Sequence, residues 1–274
     1  MQAACARRNI SYAFHLETPE DPKLRLVELA HRAAVVVTED MPVNPPARFF
    51  FALQKQTKTP IVGVDTACVV APQLVGKVYT RAFAFRKAPK KLYKARVSRD
   101  WPEANLETKN YDLSKLDFTP IDLGQNIASL VARCNIDHAV FPVVDTIGGE
   151  SQAMARWKGF LQKGMGGYAR KRNDPLAQGV SRMSAYLHYG MISPMRVARE
   201  TARTDGKGAE KFLDELLIWR ENAYNFCFHH PDPFGWNAIP EWAQDTLRRH
   251  EADPRPAIYD WETLARGETG DDLW

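Results

Sequence analysis

Short apolar runs alternate with helix-period patterns over the first third of the chain, and the pattern becomes wholly helical after about residue 150. Ile10 to Leu16 reads as a strand. Pro22 to Ala33 reads as a helix whose Leu24, Leu26, Val27, Leu29 and Ala30 form an apolar face. Ala34 to Val37 is an unbroken apolar run rich in β-branched residues, Pro46 to Gln56 a second helix, and Ile61 to Val64 a third strand. Strand, helix, strand, helix, strand at this spacing predicts a parallel sheet with crossover helices. Such a sheet is normally covered on both faces, which suits short continuous apolar runs. Three strands make a small sheet, and the chain opens almost directly on the first, so a preceding portion is expected to be missing.

From about Lys87 to Glu150 the periodicity weakens. Pro102, Pro120, Pro142 and the polar stretch Glu107 to Ser114 mark a connecting region, with Ile127 to Ala132 as a short helix inside it. Helical patterns follow over Gln152 to Gln162 and Gly208 to Phe228, with shorter ones over Glu241 to His250 and Asp260 to Arg266. Ser193-Pro194 reads as an N-cap followed by proline at the first helical position, opening Met195 to Arg203. The expected architecture is α/β plus all-α. A partial parallel α/β domain spans residues 1–100, a connector 101–150, and an incomplete helical domain 151–274.

Composition narrows the class. With 45% hydrophobic and 26% charged residues the chain is of globular type. No apolar run approaches the roughly 18 residues of a membrane span, and no signal-peptide core follows the N-terminal arginines. Cys5, Cys68, Cys134 and Cys227 are scattered and form no C-x-x-C pair, so neither a disulfide framework nor a zinc site is expected. These features predict a soluble intracellular protein. Net charge is +4, which permits polyanion binding without requiring it. Its distribution is uneven. Residues 66–99 contain no acid but carry Lys77, Arg81, Arg86, Lys87, Lys90, Lys91, Lys94, Arg96 and Arg99, and Arg170, Lys171 and Arg172 form a second cluster. Either could contact phosphates, though a solvated surface is the commoner use of such clusters.

Two segments carry candidate chemistry. Tyr168 to Ser193 combines three basic residues, an Asn-Asp-Pro turn and Ser181-x-x-Ser184 just before an aromatic run. Small hydroxyl residues beside a helix start offer donors to a phosphate. The plainer reading is that Ser184 caps a short helix, Ala185 to Tyr189, ended by Gly190. Gly208 to His230 places Glu215 and Trp219 four apart on one helix face, with Asn222 next along it. A carboxylate beside an indole can read a nucleobase by hydrogen bonding and stacking. The plainer reading pairs Glu215 with Lys211, four residues earlier, and buries Trp219 in the core. His229-His230 read as helix C-terminal residues rather than ligands.

These segments resemble the class II cyclobutane pyrimidine dimer photolyases. The resemblance is carried by Tyr168-Ala-Arg-Lys-Arg172-Asn-Asp-Pro175 and by Gly179-Val-Ser-Arg-Met-Ser184-Ala-Tyr-Leu-His-Tyr-Gly190-Met-Ile-Ser-Pro194. It continues in Phe212-Leu-Asp-Glu215-Leu-Leu-Ile-Trp219-Arg-Glu221 and Gly267-Glu-Thr-Gly-Asp-Asp-Leu-Trp274. Less specific matches are Val36-Val37-Thr38-Glu39-Asp40 and Val64-Asp65 followed by Val69-Val70. The resemblance implies a light-driven DNA-repair lyase: reduced FAD in a helical domain donates an electron to a flipped-out dimer. The α/β domain would lie in front, often with a deazaflavin or folate antenna. Tyr168, Val180, Ser181, Arg182, Met183 and Ser184 match flavin-binding positions. Arg172 matches a residue near the DNA, and Glu215 and Trp219 the pair that contacts the dimer. Trp274 matches one tryptophan of the electron-transfer chain.

UV-damaged DNA is the implied partner, with no membrane and no obligate protein partner, in the cytoplasm or on the nucleoid. The family's helical domain continues past the position of Trp274. The chain as it stands is therefore expected to expose apolar faces, to hold flavin poorly and to show little repair. A cryptochrome-like photoreceptor and a cofactor-free DNA-binding remnant are the alternatives. The Glu215–Trp219 pair favours repair over signalling.

Overall fold

A computed structural model describes residues 1–23, 25–100 and 109–273; Leu24, residues 101–108 and Trp274 lie outside the described residues. The chain divides into two compact units, Met1–His229 and His230–Trp274.

In the first unit, helices α1 (Gln2–Arg7) and α2 (Leu26–Arg32) precede strand β1 (Val36–Glu39). Helix α3 (Pro46–Gln56) then crosses over to strand β2 (Ile61–Val64). The bounds of α3 and β2 match the sequence reading, and Pro46 stands in the first turn of α3, where a missing N–H costs nothing. The strands pair in parallel, Val36 opposite Ile61 through Glu39 opposite Val64, as a strand–helix–strand unit requires. Ile10 to Leu16, expected as a third strand, forms none. Among the described residues no ladder pairs with the segment; its backbone bonds are Ile10 N–H to the Cys5 carbonyl and Ile121 N–H to the Phe14 carbonyl. An extended run becomes a strand only where another strand satisfies its backbone. The expected three-stranded sheet is thus two-stranded, and its faces are partly open: Val37 is 64% exposed and Val62 48%.

Beyond β2 come α4 (Ala82–Lys87) and α5 (Lys90–Ser98), which the sequence reading did not predict, and then α6 (Ile127–Val131). The helical part follows: α7 (Glu150–Gly159), a π-turn over Phe160–Gly164, α8 (Tyr168–Lys171), α9 (Ser184–His188) and α10 (Pro194–Ala202). Ser193 caps α10 as expected, its Oγ accepting from the Arg196 N–H at 3.3 Å. The long predicted helix Gly208 to Phe228 is three segments, α11 (Lys207–Leu213), a π-helical stretch over Asp214–Arg220, and α12 (Glu221–His229).

The core belongs mainly to these helices. Trp157 and Phe212 pack with ring centroids 5.4 Å apart, and Tyr168 meets Phe212 edge-on at 5.2 Å. Val69 and Val70 after β2, Phe85 of α4 and Tyr93 of α5 are buried in the same cluster. The loop after β2 is therefore fixed to the helices by apolar packing, and α11 begins against the 165–167 turn. There Gly208 is required: a Cβ would lie 1.8 Å from the Met165 carbonyl oxygen.

The second unit holds α13 (Glu241–Arg249) and α14 (Trp261–Arg266). Asp260 caps α14 by accepting from the Thr263 N–H at 2.7 Å, and Gly267 ends it in the left-handed conformation. No helix of the described residues is long and apolar enough to cross a membrane.

Candidate functional site

A cavity of about 640 Å³ opens between α8, α9 and the π-helical stretch. Its wall includes Tyr168, Ser181, Met183, Ser184, Phe212, Glu215, Leu216, Arg220 and Tyr224. Volume and lining, largely apolar with a few converging polar groups, are those of a small-molecule or cofactor site.

The segment before α9 reaches the cavity because Gly179 passes against α8. A Cβ there would lie 2.3 Å from Lys171 Cβ. Past this contact Ser181 Oγ accepts from the Met183 N–H at 3.4 Å. Ser184 is the first residue of α9, with Met183 as its N-cap, and no side chain caps this helix. The plainer reading of Ser184 as a cap therefore fails: its hydroxyl makes no hydrogen bond among the described residues and lines the cavity. Val180 and Arg182 belong to the same segment but do not line the wall. Val180 is 45% exposed. Arg182, at a φ of 54°, donates to Asp145 at 2.5 Å and to Gln178 at 3.0 Å.

The other wall depends on the π-helical stretch. In an α-helix residues five apart diverge by about 140° around the axis. The i→i+5 bonding of a π-turn stacks them instead. Glu215 and Arg220, five apart, consequently line one cavity. Trp219 lies outside the cavity wall and is 55% exposed, so it is a surface indole and not a core residue. The Lys211–Glu215 ion pair expected from their spacing is present at 2.7 Å, and Arg172 reaches the same carboxylate at 3.2 Å. Burial first, and the nearby Glu215 carboxylate second, raise the pKa of the Tyr168 phenol above its ordinary value. Tyr168, Arg172, Ser181, Met183, Ser184, Glu215 and Trp219 thus share one region. Trp274 lies outside the described residues.

Arg220 and Glu221 are the residues that sequence reasoning passed over. Arg220 Nη1 donates to the Ala67 carbonyl at 2.6 Å and its guanidinium lies 4.8 Å from the Tyr224 ring centre. Its Nη2 is buried without a hydrogen-bond partner in the described structure. An unpaired guanidinium N–H on a cavity wall suits an anionic oxygen of a bound molecule. Glu221, 1% exposed, accepts from the Val69 and Val70 N–H groups at 2.7 and 3.2 Å, and the Tyr93 hydroxyl lies 2.9 Å away. Burial pushes its pKa up to about 7 against these hydrogen bonds. Arg96 completes the clamp by donating to the Val69 carbonyl at 3.0 Å. Both stand at the end of the resemblance motif that closes on Trp219-Arg-Glu221, but no feature of the sequence assigned either a role. A glutamate is read as exposed unless a buried set of donors is known to meet it.

Similarity to known proteins covers part of the chain. The chain is 37% identical over 127 residues to the deoxyribodipyrimidine photo-lyase of Methanothermobacter thermautotrophicus, covering 46% of this chain and 28% of that protein. It is 41% identical over 120 residues to the enzyme of the same name from Oryza sativa subsp. japonica, covering 42% and 24%. The chain thus spans about a quarter of the length of the curated relatives it matches. No family model matches. Among solved structures, a class III photolyase from Agrobacterium tumefaciens aligns over 88% of this chain and 49% of its own, with a TM-score of 0.53 at 18% identity. A Synechocystis cryptochrome aligns over 83% and 50%, with a TM-score of 0.55 at 18% identity. At such identity these two report the fold alone. Over about a quarter of their length, then, the chain is a homologue of proteins named deoxyribodipyrimidine photo-lyase.

Proposed function

We infer that the chain serves in light-driven splitting of cyclobutane pyrimidine dimers in DNA, in the manner of a class II photolyase, with FAD as cofactor. The observation that carries this reading is the cavity wall that joins the Ser181–Ser184 segment to Glu215 and Arg220. The residues present fit an FAD. A buried, unpartnered guanidinium N–H and an unengaged serine hydroxyl suit its phosphates, while Phe212, Met183 and Leu216 supply apolar surface for a ring. When bound and reduced, FAD supplies on blue-light excitation the electron that opens the cyclobutane ring. Everything else falls to the protein. Arg220, Ser181 and Ser184 hold phosphate charge, and Tyr168 and Phe212 bound the apolar wall. Glu215 accepts an N–H from the edge of a flipped-out dimer. Trp219, exposed beside it, offers a stacking face, and Arg172 offers a cation to the DNA backbone.

The test is titration of the purified chain with FAD, followed by anisotropy measurements on duplexes with and without one thymine dimer. Weak but saturable flavin binding and preference for the dimer are expected, with little dimer splitting under blue light from the chain as it stands. Failure to bind FAD at tens of micromolar, together with equal affinity for both duplexes, would refute the reading. Flavin binding without dimer preference would favour a cryptochrome-like photoreceptor.

A further inference from the structure

Lys211 does not line the cavity, yet it holds the carboxylate on which dimer reading turns. Its Nζ lies 2.7 Å from Glu215 Oε1 and 3.0 Å from Asp214 Oδ2. Arg172 Nη1 meets the same Glu215 oxygen at 3.2 Å. Arg86 of α4 holds Asp214 at 2.5 Å. Five charged groups of alternating sign therefore run from α4 to the end of α8, and Glu215 is the member that also lines the cavity.

Both cations converge on one oxygen. Glu215 Oε2 makes no hydrogen bond among the described residues. A lone i, i+4 pair at a helix surface leaves a carboxylate free to turn. Held at Oε1 by two cations, this one has little freedom left, and Oε2 remains an acceptor in a fixed place. Lys211 stays cationic across the working range, because the hydrogen bonds it donates to Glu215 and Asp214 outweigh desolvation and raise its pKa.

We propose that Lys211 is a positioning residue that, with Arg172, pins Glu215 Oε1 and so presents Oε2 as an acceptor selective for a ring imide N–H. The proposal rests on the dimer-reading role of Glu215 inferred above and names what that residue discriminates. A carboxylate shared by two cations accepts and does not donate. It matches a ring N–H and mismatches a carbonyl or an alkylated nitrogen, and a mismatch leaves polar groups unpaired on both sides.

The experiment measures duplex affinity by fluorescence anisotropy for wild type, Lys211→Met and Lys211→Arg. The probes are three oligonucleotides: undamaged, carrying a thymine dimer, and carrying the same dimer methylated at N3. Wild type is expected to favour the unmethylated over the methylated dimer by about tenfold, the size of one well-placed polar contact. Lys211→Met is expected to lose that preference while retaining affinity for undamaged duplex, and Lys211→Arg to restore it. A surface ion pair that only steadied the helix would not change sensitivity to one methyl group. If Lys211→Met keeps the methyl discrimination, or Lys211→Arg fails to restore it, the proposal falls and the reading of Glu215 stands. If wild type does not distinguish dimer from undamaged duplex, both fall together.

Discussion

Replacing Glu221 by glutamine should make stability less dependent on pH. The Tyr93 hydroxyl lies 2.6 Å from the Leu217 carbonyl oxygen and 2.9 Å from Glu221 Oε2. One phenolic proton cannot serve both well, and the carbonyl has no proton to give. The shorter bond goes to Leu217, so the second bond is satisfied when Glu221 is protonated and donates to the Tyr93 oxygen. Burial, which pushes the carboxyl up to about 7 from 4.5, agrees with that assignment. Because the folded value lies above the unfolded one, the stabilisation is complete below about pH 4.5. It is lost as pH rises through 7, and amounts to about 3 kcal/mol over that window.

Glutamine reproduces the protonated acid: its oxygen accepts from Val69, and its amide donates to Tyr93. Only the Val70 N–H loses its acceptor, at a cost of about 1 kcal/mol. Urea unfolding followed by far-ultraviolet circular dichroism should therefore show Glu221→Gln about 1 kcal/mol less stable than wild type at pH 4.5. At pH 8 it should be about 2 kcal/mol more stable. Comparing the two proteins cancels every other titrating group common to both. A difference that stays constant within about 0.5 kcal/mol between those pH values would refute the reasoning. It would mean that Tyr93 donates to an ionised Glu221 and leaves the Leu217 carbonyl without it.

Other outcomes follow from the same geometry. Arg220→Met should weaken FAD affinity by roughly tenfold to a hundredfold, the loss of one charged hydrogen bond, read by quenching of flavin fluorescence. It should also reduce stability, since the Ala67 carbonyl loses its donor. Trp219→Ala should leave the urea midpoint nearly unchanged because the indole is half exposed. The same change should cost about 1–3 kcal/mol of binding to dimer-containing duplex if a base stacks there. Trp157→Ala should cost about 3–5 kcal/mol of stability. It removes a fully buried ring and leaves the Glu200 carboxylate without the Nε1–H that it accepts at 2.6 Å.

What was legible in the sequence depended on signals carried within a few residues. Helix α3 and strand β2 were bounded correctly because a proline at the first turn and a short β-branched run need no distant partner. The start of α10 was read from Ser193-Pro194 for the same reason. The resemblance motifs named Tyr168, Ser181, Met183, Ser184 and Glu215, which the fold brings to one cavity wall.

Tertiary structure alone decided the rest. Ile10 to Leu16 has strand composition, but a strand exists only when a neighbour pairs with its backbone, and among the described residues none does. The π-helical stretch over Asp214–Arg220 is invisible to periodicity because the hydrophobic pattern runs unbroken through it; packing sets its register and so puts Glu215 and Arg220 on one side. Whether Ser184 capped a helix or faced a cavity depended on where the chain crossed α8 at Gly179. Burial of Glu221 was equally hidden, since its hydrogen-bond partners, Val69, Val70 and Tyr93, lie more than 120 positions away. Local sequence determines backbone preference within a turn or two, whereas the environment of a charged side chain is fixed by groups that only folding brings near.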